Sequence, residues 1–358
     1  MKKASIIIPL YNVEKFVRFA LQAAIAQPYP DIEILVVDDE SSDGGVEICR
    51  QFDDPRIKIF QQENRGLAGA RNTGIRNAQG QYIAFLDADD QWEPDKLEKH
   101  IRHLESEPEV GVSFSYSKFI DQQNNPIGLF QFSKLKDITP LDVLCRSPIG
   151  NGSAGVFRKE VFEDIAFTAM HGDTPVEEYF DENFRDSEDI ECWMRIAVQT
   201  DWKMEGIPEA LTMYRVNPKG MSANLYKKMT SWEDVLDKIR TYAPEEMVKW
   251  EHPGRAYHLR YLSRRATTLR DKHQAVQLFT RALKSYWPML IEEPLRTGLT
   301  GSAAFLLWIL PEALYDRLFM QMMQVTGDRQ RRRLIGDDAM NSQRATNTTS
   351  YSGGLKGV

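Results

Sequence analysis

The sequence is poor in cysteine. Its three, Cys49, Cys145 and Cys192, lie far apart with no Cys-x-x-Cys spacing. That argues against a disulfide framework and a structural zinc site, and it fits a reducing compartment, so a cytoplasmic location is expected. Basic charge is not in excess either. The 45 Lys and Arg stand against 52 Asp and Glu, so the totals signal no groove for a nucleic-acid backbone and no nucleic-acid partner is expected. Nor is there an apolar run long enough to span a bilayer; the longest, Ala303 to Leu310, stops at Pro311. Met1-Lys2-Lys3 looks like the start of a leader, but Ala4 to Leu10 is short and contains Pro9, and reads better as a first buried strand. A Gly-x-Ser-x-Gly elbow and a Walker-type loop are both missing, which argues against a hydrolase and a P-loop kinase.

What is present is an alternation. Ser5-Ile6-Ile7-Ile8, closed by Pro9, predicts a buried parallel strand. Val13 to Gln27 has apolar residues at helical spacing and ends at Pro28. Ile32 to Val37 is a second strand ending in Asp38-Asp39, followed by a turn and cap at Ser41-Ser42-Asp43-Gly44 and a helix over Val46 to Phe52. Ile57 to Phe60, the helix Leu67 to Asn77 and the strand Tyr82 to Leu86 complete the series. Such alternation predicts an α/β fold, an open, Rossmann-like, mostly parallel sheet with helices on both faces. Ligands of these sheets bind beyond the carboxyl ends of the strands. Pro9, Asp38-Asp39 and Asp87-Ala88-Asp89-Asp90 all stand at such ends.

Strands are further expected at Val112 to Phe119, Ala154 to Phe157 and Leu211 to Val216, with a helix at Ile190 to Val198. Past Leu225 strand signals stop. Trp232 to Tyr242, Arg255 to Arg270 and His273 to Ser285 read as helices, and Gly298 to Ser302 as an interruption. The expected division is an α/β domain over 1–222, with strict strand–helix alternation in 1–95 and a mixed part in 96–222. A helical appendage over 223–326 and a disordered polar tail over 327–358 follow.

Asp87 and Asp89 are two apart on an extended segment, so their carboxylates can converge. Two such oxygens suit a hard cation that also takes phosphate and water ligands. The plain alternative is a solvated acidic turn before Pro94. His100 and His103, three apart on an expected helix, have no obvious third ligand and read as a surface pair rather than a zinc site.

Four segments together resemble the family 2 glycosyltransferases, which have the GT-A fold. They are Ser5-Ile6-Ile7-Ile8-Pro9-Leu10-Tyr11-Asn12, the run Ile34 to Gly44 containing Val36-Val37-Asp38-Asp39, the run Asn64 to Gly74 containing Gly69-Ala70-Arg71-Asn72, and Tyr82 to Asp90. The resemblance is strong over about residues 4–95, looser to about 220, and absent from the C-terminal third, and it implies a catalytic domain over 1–222 with nucleotide-sugar binding in 1–95 and the acceptor side in 96–222. It implies an inverting transfer of a sugar from a nucleotide diphosphate, a UDP-sugar, to the hydroxyl of a saccharide, lipid-linked or protein acceptor. The setting it implies is assembly of envelope polysaccharide or other glycan. Mg²⁺ or Mn²⁺ would be the cofactor. Pro9 and Tyr11 would line the base pocket, Asp39 would accept a hydrogen bond from the base, Arg71 would contact base or phosphates, Asp87 would face the ribose and Asp89 would hold the metal. Asp39 could equally cap the helix that follows it. Glu40 departs from the Gly or Asn common in the family at that turn.

In Asp186-Ser187-Glu188-Asp189 the resemblance makes Asp189 the base for the acceptor hydroxyl, with Glu188 beside it. Spacing alone favours a plainer reading, since acidic residues suit any first helical turn. Asn151 to Gly155 is either a site of close backbone approach to a sugar or a simple turn. Tyr214-Arg215-Val216-Asn217 and Ser222 resemble a late family segment in which a His reaches the metal; here Asn217 takes that place, leaving Arg215 as a phosphate contact. The aromatic-rich stretch from Trp287 to Phe319, flanked by Arg296, Arg317 and Arg331 to Arg333, reads either as a peripheral membrane segment at the inner face or as a helical pair packed on the rest of the chain. Two other functions compete: a nucleotidyltransferase, disfavoured by Pro9-Leu10-Tyr11-Asn12 where a Gly-rich loop would stand, and a nucleotide-sugar-binding scaffold without turnover.

Overall fold

The structure is a computed structural model that describes residues 2–217 and 225–351, with side chains to residue 334. Ser222 lies outside the described residues. The first half alternates as the pattern predicts: β1 (Ala4–Leu10), α1 (Glu14–Ile25), β2 (Ile32–Asp38), α2 (Gly45–Arg50), β3 (Ile57–Gln61), α3 (Gly66–Asn77) and β4 (Tyr82–Phe85). Next come β5 (Gln91–Trp92), α4 (Lys96–Ser106), β6 (Val110–Ile120), β7 (Pro126–Gln131) and α5 (Pro140–Arg146). A 3₁₀ turn at Gly152–Ala154 leads into β8 (Val156–Arg158), α6 (Lys159–Asp164), β9 (Phe167–His171), β10 (Thr174–Glu178), α7 (Glu188–Gln199) and β11 (Lys203–Arg215). The rest is helical: α8 (Leu225–Tyr242), α9 (Pro244–Thr268), α10 (Lys272–Ser285), α11 (Met289–Glu292), α12 (Pro294–Ile309) and α13 (Glu312–Tyr351).

The main sheet runs β3-β2-β1-β4-β8-β6-β11-β5, with β7 on the outside of β6, while β9 and β10 form a separate hairpin. β1 to β4 are parallel, and β8 runs against both β4 and β6. Every residue of β1 is buried, as expected of a strand covered on both faces. Its side chains alternate between two cores. Ile7 joins Leu35, Ile83 and Phe85 on one side, while Ile6 and Ile8 join Ile34, Val36 and Ala84 on the other. Pro9 is tolerated in this central strand because the β1–β4 ladder ends at Ile7 and Phe85, so its missing N–H leaves no partner unpaired there. At Gly74 a Cβ would sit 2.3 Å from Ile7 Cγ2, and that closeness lets α3 lie tightly on β1.

The helical part departs from the sequence pattern in four ways. α8 is not an outlying helix: Trp232, Val235, Leu236 and Ile239 share one core with Phe85, Phe157 and Trp193 of the sheet half. α9 begins at Pro244 and carries Pro253 and Gly254 in its interior, Gly254 lying against Leu144 of α5. Only from Ala256 onward do the helices pack around a core of their own. α12 runs unbroken through Gly298 to Ser302, because Gly301 is needed for contact with the Phe279 ring. Finally, the stretch after Gly327, expected to be disordered, continues α13 to Tyr351. It has no proline, and Gln330 exchanges hydrogen bonds of 3.0 and 3.1 Å with the Phe130 N–H and C=O, so its amide stands in for a neighbour on the open edge of β7.

Candidate active site

The carboxyl ends of β1, β2 and β4 form one rim. Tyr11 follows β1 with its ring half exposed at 52%. Next to it Asn12, in the left-handed region at φ 51°, accepts from the Ser42 N–H at 2.8 Å and fixes the loop after β2. α1 and α2 cap each other: Asp43 accepts from the Glu14 N–H at 2.8 Å, and Glu14 from the Gly44 N–H at 2.9 Å. Asp39 is buried. Its Oδ1 accepts from Gln62 Nε2 at 2.7 Å and the Arg65 N–H at 2.9 Å, and its Oδ2 from the Gly66 N–H at 2.8 Å. It therefore caps α3, a helix distant in sequence, rather than the helix immediately after it. Oδ2 keeps a lone pair for a ligand.

Arg71 of α3 is 2% exposed. Its Nη2 lies 3.1 Å from Asp87 Oδ1 and its Nη1 2.9 Å from Glu188 Oε1. The guanidinium also rests on the rings of Phe85 and Phe180, at 5.5 and 5.4 Å. Burial alone would pull its pKa down, yet the charges of Asp87, Glu188 and Asp189 outweigh this and hold it above the ordinary arginine value. Arg71 thus joins the acidic end of β4 to the start of α7. Gly152 permits the approach, since a Cβ there would lie 2.3 Å from Arg71 Nη2 and 3.0 Å from Asp87 Oδ2.

Ser153, in the same turn, fixes the acidic loop. Its Oγ donates to Asp90 Oδ2 at 2.7 Å and accepts from the Asp87 N–H at 3.0 Å. Asp90 is buried, and burial, then Asp89 and Asp87, push its carboxyl well above the usual range. Asp89 is pushed up to about 6, first by burial and then by Asp87. Its oxygens, with those of Asp87, make a hard donor set that suits Mg²⁺ or Mn²⁺, and a cation there would relieve the crowding of negative charge.

Arg215 stands elsewhere than expected. It is buried, with Nε on the Asp89 carbonyl at 2.7 Å, Nη1 on the Asp121 carbonyl at 2.6 Å and Nη2 on Asn124 Oδ1 at 2.6 Å, and its guanidinium covers Phe16. These contacts make it a clasp behind the acidic loop and turn it away from a phosphate role. The histidine pair is also corrected. His100 is fully buried, and the Nδ1 atoms of His100 and His103 lie 2.7 and 2.8 Å from Ser113 Oγ, so α4 packs them against β6 instead of showing them to solvent.

α7 opens at Ser187, in the left-handed region at φ 64°. Glu188 is buried, and burial followed by the Asp189 charge pushes its carboxyl up to about 7 against the pull of Arg71. Asp189 is partly exposed and accepts from the Ile190 N–H at 2.8 Å. α8 braces this segment through Lys228 on Asp186 and Lys238 on Asp181, the latter at 2.9 Å. Neither lysine carries a local motif, and Ser153 was legible only as one small residue among several.

The chain matches the model described as glycosyl transferase family 2 over residues 5–166. It is 30% identical over 233 residues to UDP-Glc:alpha-D-GlcNAc-diphosphoundecaprenol beta-1,3-glucosyltransferase WfgD of Escherichia coli, covering 65% of this chain and 84% of that one. It is 41% identical over 140 residues to the glycosyltransferase GlyA of Streptococcus pneumoniae serotype 4, but that match spans 38% of this chain and 19% of the relative's length. In fold it resembles the mannosyltransferase PcManGT of Pyrobaculum calidifontis, solved with GDP-Man and Mn2+, with a TM-score of 0.54 at 21% identity over 86% of each chain. The open, mostly parallel sheet with its covering helices has the GT-A fold. The chain belongs to glycosyltransferase family 2, and it is an enzyme of sugar transfer.

Proposed function

We propose that this enzyme moves a hexosyl group from a UDP-sugar to a hydroxyl of a lipid-linked saccharide in envelope polysaccharide assembly, with inversion and with a divalent cation. The donor and acceptor classes follow those named for the Escherichia coli relative. The observation that carries the reading is the Arg71 bridge, which sets the donor-side Asp87 and the acceptor-side Glu188 on one guanidinium. Tyr11 and Pro9 would line the base, with Asp39 offering Oδ2 to a base N–H. Asp87 would face the ribose, and Asp89 would be the metal ligand. A cation held by Asp89 would supply positive charge to neutralise the diphosphate leaving group.

Asp189 would accept the acceptor's proton as the hydroxyl oxygen bonds to the anomeric carbon and the bond to the diphosphate breaks. One displacement of this kind inverts the anomeric centre. Glu188, buried and held by Arg71, would position Asp189 rather than take the proton. Calorimetry with UDP, GDP, CMP and dTDP, with and without Mn²⁺, tests the donor half. Metal-dependent binding of UDP, lost in Asp89→Ala, is expected. A folded protein that binds none of the four would sink the proposal and favour a different ligand class.

A further inference from the structure

α12 breaks the ordinary rule for a surface helix. Its inner face, Thr297, Thr300, Gly301, Ala304 and Leu307, is buried against the neighbouring helices. Its outer face is apolar as well: Leu295, Leu299, Phe305, Trp308 and Ile309 are exposed, Ile309 to 62%, and Trp287, in the turn before α11, is exposed to the same extent. Between Thr297 and Pro311 there is no charged side chain. A helix apolar all round is covered on both sides in its working state, and here the chain covers only one.

The flanks carry more basic than acidic unpaired charge, with Glu312, exposed at the start of α13, as the carboxylate without an ion pair among the described residues. Lys284, three residues before Trp287, and Arg317, on the first turns of α13, are exposed and have no ion-pair partner among the described residues. Arg296 reaches only Glu293 at 3.6 Å, a carboxylate already held by Arg146 at 2.9 Å and by Arg260. Indole rings beside an apolar plate with a lysine and arginine rim match a bilayer interface carrying anionic headgroups. A protein partner would meet a face whose exposed hydrogen-bonding groups are few, namely Ser302 and the indole N–H groups of Trp308 and Trp287. No helix among the described residues is long and apolar enough to cross a membrane. The 16 residues of α12 span about 24 Å, less than a hydrocarbon core of about 30 Å.

We infer that α12, with Trp287, lies in the plane of a bilayer surface containing anionic lipid and seats the enzyme there, its outer face among the acyl chains and Lys284, Arg296 and Arg317 at the headgroups. This deepens the lipid-linked-acceptor reading, but it rests on the surface of α12 and is tested apart from donor binding. The probe is flotation of the full chain with vesicles of phosphatidylcholine, alone or mixed with phosphatidylglycerol, at low and high salt. The wild-type chain is expected to float with the mixed vesicles and less with phosphatidylcholine alone. Phe305→Glu with Ile309→Glu, both at exposed positions, should lower partitioning by about tenfold or more. Each of Lys284→Gln, Arg296→Gln and Arg317→Gln should lower it about fivefold and flatten the salt dependence.

Calorimetric UDP binding and the melting temperature should not move in these variants. Should they lose UDP binding or melt early, Leu295→Ser with Leu299→Ser gives the same reading by a milder route. Wild-type protein that stays with neither vesicle, or floats as well in the Phe305→Glu, Ile309→Glu variant, would overturn the inference. So would a dimer in sedimentation that this variant dissociates without any vesicle binding. Equal flotation with both vesicle types would overturn the headgroup assignment.

Discussion

Arg71 holds a full charge where almost no water reaches, and it is stable there because two carboxylates and two aromatic faces surround it. Removing such a partner from a buried pair costs about 3–5 kcal/mol, so the bridge holds the fold together here whatever it does in the reaction. Gly152→Ala tests it without deleting a charge. The added methyl must displace Arg71 Nη2 from 2.3 Å, and we expect kcat to fall by about tenfold or more, with the far-UV spectrum unchanged. Asp189→Asn should lower kcat by about a hundredfold or more while UDP affinity, read by calorimetry, stays near wild type. Loss of UDP affinity in that variant instead would move Asp189 from the acceptor to the donor side. Much of this site was legible residue by residue. Asp39, Asp87 and Asp89 stand at strand ends, which a local pattern reveals. That Glu188 meets Arg71, 117 residues away in sequence, was not legible, because spacing says nothing about which distant charge fills a buried partner's shell.

At the scale of elements, α4 and β6 enclose a run of titratable groups. Lys96 Nζ donates to the Ala154 carbonyl at 2.8 Å and lies 3.2 Å from His100 Nε2, and His100 Nδ1 lies 2.7 Å from Ser113 Oγ. Burial, then the charge of Lys96, hold His100 well below the ordinary histidine pKa. The unfolded chain therefore binds a proton that the folded one refuses, in the window below about pH 6.5. Stability falls as pH drops through that value, by up to about 1.4 kcal/mol for each pH unit from this one group. Thermal melts at about pH 7 and about pH 5 should show the decline, and His100→Asn should flatten it relative to wild type. The comparison of slopes isolates His100 from Glu188 and Asp90, whose raised carboxyl pKa values act with the opposite sign. α4 was expected to show its histidines to solvent. The helix period was right, but its phase against β6 depends on packing that no local pattern encodes.

Across the whole molecule, the important boundary is not where strand signals stop. The core of the sheet half continues through α8 into the start of α9, as far as Met247. A chain ending at residue 217 is expected to lose cooperative unfolding, because the core of the sheet half would lose Trp232, Val235, Leu236 and Ile239. A chain ending at residue 310 lacks only α13 and should keep a single transition at a lower midpoint. Calorimetric melting of the two truncations checks both statements. A sharp transition in the shorter chain would restore the division at residue 222.

By itself the sequence determined the alternation of strand and helix over the first ninety residues and the acidic strand ends, since both arise from side-chain periodicity and short-range backbone chemistry. It also determined that the stretch from Thr297 to Pro311 would carry no charged side chain. The tertiary structure alone decided that Arg71 would bind Asp87 and Glu188 together, that Arg215 would clasp the acidic loop from behind, that α8 would complete the main core and that one apolar face of α12 would be left uncovered. Each of these depends on which distant surface a side chain meets when water is expelled. That choice is made by the packing of the whole chain and not by any stretch of it.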